Sequence, residues 1–298
     1  MEIQFLKMQG CGDDTILIDC FKQPKPPETD LGRLARKILD RMRGVGGRSV
    51  LLMEAGSRRR LSARSFSPLG EEAPVSCNAL RCLARYASDS GAEVSQEFSV
   101  EVGGGEIGTR IIDSLNVQVD MGMPLAGEGS AEIHEKPLES FTRSIVVDGK
   151  GITYTPVSLD SSFGIVFVQG FDFSLPRLAR RLVGHPEFPP DTSVGFVRVF
   201  NREEIRLRVW KPLEEGDGTK NPRGGESPAS CPGAASAVVA SVVSGFADRE
   251  VFVHLNGGDV FVQWQESSNR LFLTGPASYV FTGVYYFEEE SADARIHG

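Results

Sequence analysis

The sequence contains no apolar run near the roughly 20 residues that a membrane-spanning helix requires, and nothing at its start reads as a signal peptide. Histidine is scarce: the four (His134, His185, His254, His297) fall at no ligand spacing beside a cysteine pair, which argues against a zinc site. Positive charge is in deficit, with 32 Lys and Arg against 40 Asp and Glu, so the chain offers no basic footprint for nucleic acid. Cysteine is sparse and odd in number: Cys11, Cys20, Cys77, Cys82 and Cys231. Without a secretory signal, that count suits free thiols better than a disulfide framework. The expectation is a cytoplasmic protein with no membrane or nucleic-acid partner.

What the sequence does contain is a phrase written twice. Val75-Ser76-Cys77-Asn78-Ala79-Leu80-Arg81-Cys82 and Ala229-Ser230-Cys231-Pro232-Gly233-Ala234-Ala235-Ser236 both place Ser-Cys before a run of small and apolar residues. Both read as helix starts, where the positive end of the helix dipole favours thiolate. Gly104 and Gly258 each follow their Ser by 28 positions, within Gly103-Gly104-Gly105 and Asn256-Gly257-Gly258. Two copies at one offset argue for a duplicated domain, and 298 residues suffice for two cores.

Short strands dominate the remaining pattern, among them Met1 to Phe5, Val117 to Asp120, Ile165 to Val168, Val251 to Leu255 and Val260 to Trp264. Helical periodicity marks Asp30 to Arg43, Asn78 to Ser88, Leu175 to Val183 and Ala234 to Val243. Each half therefore reads as many strands around about two helices. The expected division is 1–125, a crossover over 126–149, 150–287, and an acidic tail over 288–298, with C-terminal strands crossing into the first half. Lys211 to Pro228, rich in Gly, Pro and charge, reads as a long loop, either a lid or a surface insertion.

These motifs carry a family resemblance. Lys7-Met8-Gln9-Gly10-Cys11-Gly12-Asp13-Asp14, Arg43-Gly44-Val45-Gly46, Phe66-Ser67-Pro68-Leu69-Gly70-Glu71-Glu72, Asn78-Ala79-Leu80-Arg81-Cys82, Asn256-Gly257-Gly258 and Thr274-Gly275-Pro276-Ala277 occur in the order found in diaminopimelate epimerases. The resemblance implies an α+β fold of two pseudo-symmetric domains, each a mostly antiparallel sheet wrapped around a central helix, with the active site in the cleft between them. It also implies cofactor-independent inversion of an amino-acid α-carbon, one thiolate removing the proton and an opposed thiol delivering another.

The departures from the family pattern define the candidate site. The family's two Cys-Gly pairs fall on Ser76-Cys77 and Ser230-Cys231, the same change in both halves. Three readings follow. Cys77 and Cys231 flank the substrate, each moved one position. Alternatively, Ser76 and Ser230 mark altered or lost proton transfer and the cysteines pack as small apolar residues. In the third reading one thiol is the base and Ser or water stands opposite, as in a dehydratase or one-sided isomerase. Candidate substrate-binding residues are Asp13, Ser67, Asn78, Ala79, Ser161, Ser193, Arg223, Pro232 and Gly233. Asp160 lies where the family has glycine, and Lys211-Pro212, Glu214-Glu215 and Arg223 are candidates for its Glu-Arg pair. Arg81 reads as a structural pair or a cover for its helix, and Asn78 as a helix-start residue. The expected ligand is an amino acid or related carboxylate other than, or in addition to, diaminopimelate, with no cofactor and no metal. A homodimer is compatible with the sequence. The competing class is a silent homologue that binds or regulates.

Overall fold

A computed structural model describes residues 1–57, 60–126, 142–159, 161–212 and 224–288. Asp160, Glu214, Glu215, Arg223, most of the expected crossover and nearly all of the expected tail lie outside the described residues.

The first half runs β1 (Glu2–Gly10), β2 (Asp13–Asp19), α1 (Glu28–Ile38), β3 (Ser49–Ala55), β4 (Leu61–Phe66), β5 (Glu72–Ala73), α2 (Cys77–Asp89), β6 (Glu97–Val102), β7 (Gly105–Ile111) and β8 (Asn116–Gly122), followed by β9 (Leu125–Ala126). After β10 (Arg143–Val147) the same order returns: β11 (Lys150–Ser158), β12 (Ser162–Phe167), α3 (Leu175–Val183), β13 (Ser193–Asn201), β14 (Glu204–Lys211), β15 (Gly225–Ser227), α4 (Cys231–Val243), β16 (Glu250–Leu255), β17 (Gly258–Gln265) and β18 (Arg270–Pro276), followed by β19 (Ser278–Tyr286). Pairing repeats as well. β2 lies parallel to β3 as β12 does to β13, and β4 to β6 as β14 does to β16. Most other ladders are antiparallel.

β8 pairs antiparallel with β18 and joins the two halves into one sheet. Each half then sends its last strand across: β19 pairs with β1, and β9 pairs with β11. The two Ser-Cys helices are the ones the sheets enclose. α2 contacts β1, β2, β3, β7 and β8, while α4 contacts β11 to β14 and β16 to β18. α4 is apolar all round, as a helix wrapped by sheet must be, and Ala234, Ala235, Ala237, Val238, Val239 and Ala240 have no exposed surface. α1 and α3 cover the outer faces, each with a smaller apolar cluster of its own.

The equal offset from Ser to Gly runs from a helix N-terminus to a hairpin, reaching the turn at Gly104 and the first residue of the next strand at Gly258. Gly103-Gly104 links β6 to β7, and Asn256-Gly257 links β16 to β17. Two expectations need correction. α1 begins at Glu28 and ends at Ile38, ahead of the stretch whose periodicity suggested Arg43. The segment read as a loop to Pro228 ends in β15, paired with the end of β14, so the chain enters α4 from a strand. Among the described residues, no helix is long and apolar enough to cross a membrane.

Candidate active site

α2 and α4 open with the same local chemistry. Ser76 and Ser230 are extended N-cap residues, and their Oγ atoms accept the backbone N–H of Ala79 at 3.1 Å and of Gly233 at 3.2 Å. Serine is preferred at this position because its hydroxyl satisfies an N–H that the helix leaves unpaired. Cys77 and Cys231 are therefore the first residues of their helices. Asn78 is not the cap that the sequence suggested. Its Nδ2 donates to Asp13 Oδ2 at 3.0 Å, and its Oδ1 accepts from Arg81 Nη2 at 2.6 Å.

The two helix N-termini meet at Arg81, which has no exposed surface. Its Nη1 lies 3.2 Å from Cys231 Sγ and 3.6 Å from Cys77 Sγ. Nη2 donates to Asn78 Oδ1 and reaches Cys11 Sγ at 3.8 Å, while Nε donates to the Pro276 carbonyl at 3.3 Å. A guanidinium has five N–H groups, and these five acceptors account for all of them, three being sulfur. Glycine makes the space: a Cβ on Gly10 would stand 3.0 Å from Nη2, and one on Gly275 3.1 Å from Cζ. Among the described residues, none of Arg81's recorded partners is a carboxylate.

The two thiols titrate together. The neighbouring Cys77 outweighs burial and, with Arg81, lowers Cys231 to about 7. Cys231, with burial, raises Cys77 well above the ordinary thiol value. The proton belongs to the pair. Burial opposes the charge on Arg81, yet Cys231, Cys77 and Cys11 together hold its pKa above the usual value. Burial pushes Cys82 up to about 12 and raises Cys11.

Cys231 Sγ also lies 3.1 Å from Asn78 Oδ1, so a neutral Cys231 would donate there. That bond is worth about 0.5–1.5 kcal/mol. Leaving a buried charge without a partner costs about 3–5 kcal/mol. A thiolate on Cys231 suits the guanidinium at 3.2 Å, whereas the thiol suits the Asn78 oxygen at 3.1 Å.

A cleft of about 590 Å³ opens over these helix starts. Of the candidates, Asp13, Ser67, Ser76, Cys77, Asn78, Ser161, Ser230, Cys231 and Pro232 line it. Ala79 and Gly233 lie behind its wall, as donors to the capping serines. Ser193 is not brought to the cleft: it begins β13 opposite Phe163 and is buried. Asp13 pairs with Arg48 at 3.0 Å and lies 3.4 Å from Ser76 Oγ. Asp14 is engaged instead by Lys7 at 3.1 Å and Arg41 at 2.7 Å.

Sequence reasoning missed Arg48 and Glu71 as lining residues, while Lys211, a candidate for the Glu-Arg pair, does line the cleft. It also missed the cluster of Cys11 and Arg81 behind the thiols. The spacing of Cys77 and Arg81, one helical turn apart, was the available signal for the latter. A larger groove, about 820 Å³ and lined by residues such as Arg110, Gln118, Gln263 and Trp264, contains neither helix start.

Comparison with known proteins follows the same lines. The family model described as diaminopimelate epimerase matches residues 5–126. Proteins named diaminopimelate epimerase from Pelotomaculum thermopropionicum and Moorella thermoacetica are each 35% identical to the chain, over 95% of it and 99% of their own length. Among solved structures, a phenazine biosynthesis protein of the PhzF family from Bacillus anthracis superposes with a TM-score of 0.68 at 15% identity, covering 96% of this chain and 100% of that one. A hydroxyproline epimerase from Agrobacterium vitis, with bound trans-4-hydroxy-L-proline, gives 0.62 at 16% identity, covering 97% and 94%. These structural likenesses bear out the α+β fold.

Proposed function

The chain belongs to the diaminopimelate epimerase family and is an isomerase of the epimerase and racemase type; on that premise we propose that it inverts the α-carbon of an amino acid with Cys77 and Cys231 as its proton-transfer pair. The observation that carries this reading is the meeting of two thiols, from corresponding helix N-termini, at one guanidinium nitrogen. One is held ready to accept a proton and the other to give one. A base whose pKa lies near neutrality combines sufficient ionisation with sufficient basicity.

The steps balance without a cofactor. The Cys231 thiolate takes the α-proton, the carbanion is stabilised through its carboxylate, and the Cys77 thiol protonates the opposite face. The backbone N–H groups of Cys77 and Asn78 in α2, with that of Cys231 in α4, supply a cradle for that carboxylate, since Pro232 has none and those of Ala79 and Gly233 go to the capping serines. Both sulfurs lie within 3.6 Å of one guanidinium nitrogen, which leaves little room for an α-carbon between them. Catalysis by this pair therefore requires the N-termini of α2 and α4 to part as substrate enters.

The substrate is an amino acid whose side chain differs from that of diaminopimelate. The wall presents Asp13 and Ser67 where the resemblance puts asparagines, and adds the carboxylate of Glu71. A site built from hydrogen bonds discriminates strongly against a ligand that cannot complete them.

The test is α-proton exchange in D2O over a panel of amino acids that includes LL- and meso-diaminopimelate, with Cys77→Ala and Cys231→Ala. Exchange that disappears in either variant supports the pair; exchange that survives both refutes it. A second reading is favoured by Ser76, which is exposed at the cleft beside Asp13. There Cys231 is the only base and the Ser76 hydroxyl stands opposite. In that case Ser76→Ala, rather than Cys77→Ala, abolishes inversion.

A further inference from the structure

We propose that Arg81 is a positioning residue that carries the negative charge of the thiol pair in both of its forms, so that the charge passes from Cys231 to Cys77 and back without leaving one guanidinium nitrogen. The inference rests on the thiol-pair reading and goes beyond it by assigning the group that makes the pair reversible.

The argument is geometric. Nη1 has two N–H groups and two sulfurs in reach, at 3.2 Å and 3.6 Å. A buried cation needs an anion, and the described surroundings offer it sulfur. From α2 come Cys77 and Arg81 itself, and from α4 comes Cys231. The turn between β1 and β2 contributes Cys11, and Asp13 follows it at the start of β2, held by Asn78 and Arg48. β17 contributes Asp259, whose backbone carbonyl takes the Cys11 thiol at 3.8 Å. The end of β18 adds the Pro276 carbonyl. Asn78 fixes the guanidinium plane, because its amide is tied at one end to Asp13 and at the other to Nη2.

Turnover in one direction leaves Cys77 as thiolate and Cys231 as thiol. Direct transfer of one proton from Cys231 Sγ to Cys77 Sγ restores the starting form. The thiol proton also exchanges with solvent between turnovers, which carries deuterium to the α-carbon in D2O, and Arg81 faces the anion throughout.

The test is a pH titration of thiolate absorbance in wild type, Arg81→Met, Arg81→Lys and Cys231→Ala, with folding checked by circular dichroism. It needs no substrate, so its outcome is separate from the exchange assay. In wild type the first thiolate appears at a midpoint near the value given for Cys231. In Cys231→Ala a thiolate still forms below the ordinary thiol range, now on Cys77, because Nη1 reaches both. In Arg81→Met the midpoint rises by at least one unit, about tenfold less thiolate at neutral pH, and Arg81→Lys restores most of the shift.

An unmoved midpoint in Arg81→Met overturns the proposal, even if exchange depends on both cysteines. So does a Cys77 in Cys231→Ala that titrates at or above the ordinary value. That second arm decides the matter if Arg81→Met does not fold. Loss of exchange in both cysteine variants, with the Arg81 shifts absent, leaves the thiol pair standing and removes only Arg81's role.

Discussion

Replacing the capping serines separates hydroxyl chemistry from helix capping. Ser76→Ala removes the acceptor of the Ala79 N–H at the exposed end of α2, where water takes its place. The expected loss is about 0.5–1 kcal/mol, a fall in Tm of about 1–4 °C for a chain of this size. Ser230 is only 4% exposed, and its partner Gly233 is buried. Ser230→Ala leaves that N–H without a partner, costing about 1–3 kcal/mol and lowering Tm by about 2–12 °C. Asparagine caps as well as serine but has no hydroxyl to exchange. Ser76→Asn should therefore recover the lost Tm, and with it α-proton exchange close to wild type. Calorimetry and exchange in D2O on the same samples provide the assay. Stability that recovers while exchange stays abolished would refute the argument and make Ser76 the proton carrier.

Three further outcomes follow from the same geometry. The kcat/KM profile should fall tenfold per unit as pH drops below about 7, where Cys231 regains its proton; it should stay flat upward until Cys77, raised by Cys231, loses its own, and a profile falling above neutrality would contradict the assignment of base and acid. Gly257→Ala would place a Cβ 1.9 Å from the Cys11 carbonyl oxygen, at a cost of at least about 1–3 kcal/mol; a melt should show the loss, and an unchanged Tm would mean that the Cys11 turn yields freely. Val238→Ala, at a fully buried site on α4, should cost about 2–4 kcal/mol by denaturant titration, whereas Val94→Ala, 95% exposed, should cost under about 0.5 kcal/mol.

Much of the fold was legible because its signals are local or repeated. The small residues after Ser230 and the apolar positions after Asn78 specify helices that sheets can enclose. The offset to Gly104 and Gly258 exposes the repeat because the helices and the strands that follow them have equal length in both halves and the crossovers between them differ by one residue. The strand β15 was not legible: its three residues are Gly-Glu-Ser, and only the edge of β14 makes them a strand. Ser193 carries no mark of burial in its own sequence; its position is set by register against Phe163. At the site, proximity in sequence identified the thiols and Asn78. The contacts that define their chemistry join Arg81 to residues 70 and 150 positions away, and no local pattern encodes such a distance.

The change from Cys-Gly to Ser-Cys that the resemblance implies in both halves is coherent as a single rearrangement carried out twice. The N-cap must be extended and offer an acceptor, which serine does. The next residue has entered the helix, where every Cα–Cβ bond tilts toward the N-terminus. A thiol placed there still leans toward the cleft while its sulfur falls behind the cap, within reach of a side chain one turn further on. In α2 that side chain is Arg81, four residues after Cys77. In α4 the equivalent position is Ala235, which is fully buried and offers no charge. One arginine must therefore serve both halves, and it can do so only if both thiols come to it. The thiol one residue past the cap in each helix is within reach of the single buried charge, and the two helix starts differ in the side chains that hold that charge, Asn78 and Arg81 in α2 against Pro232 and Ala235 in α4.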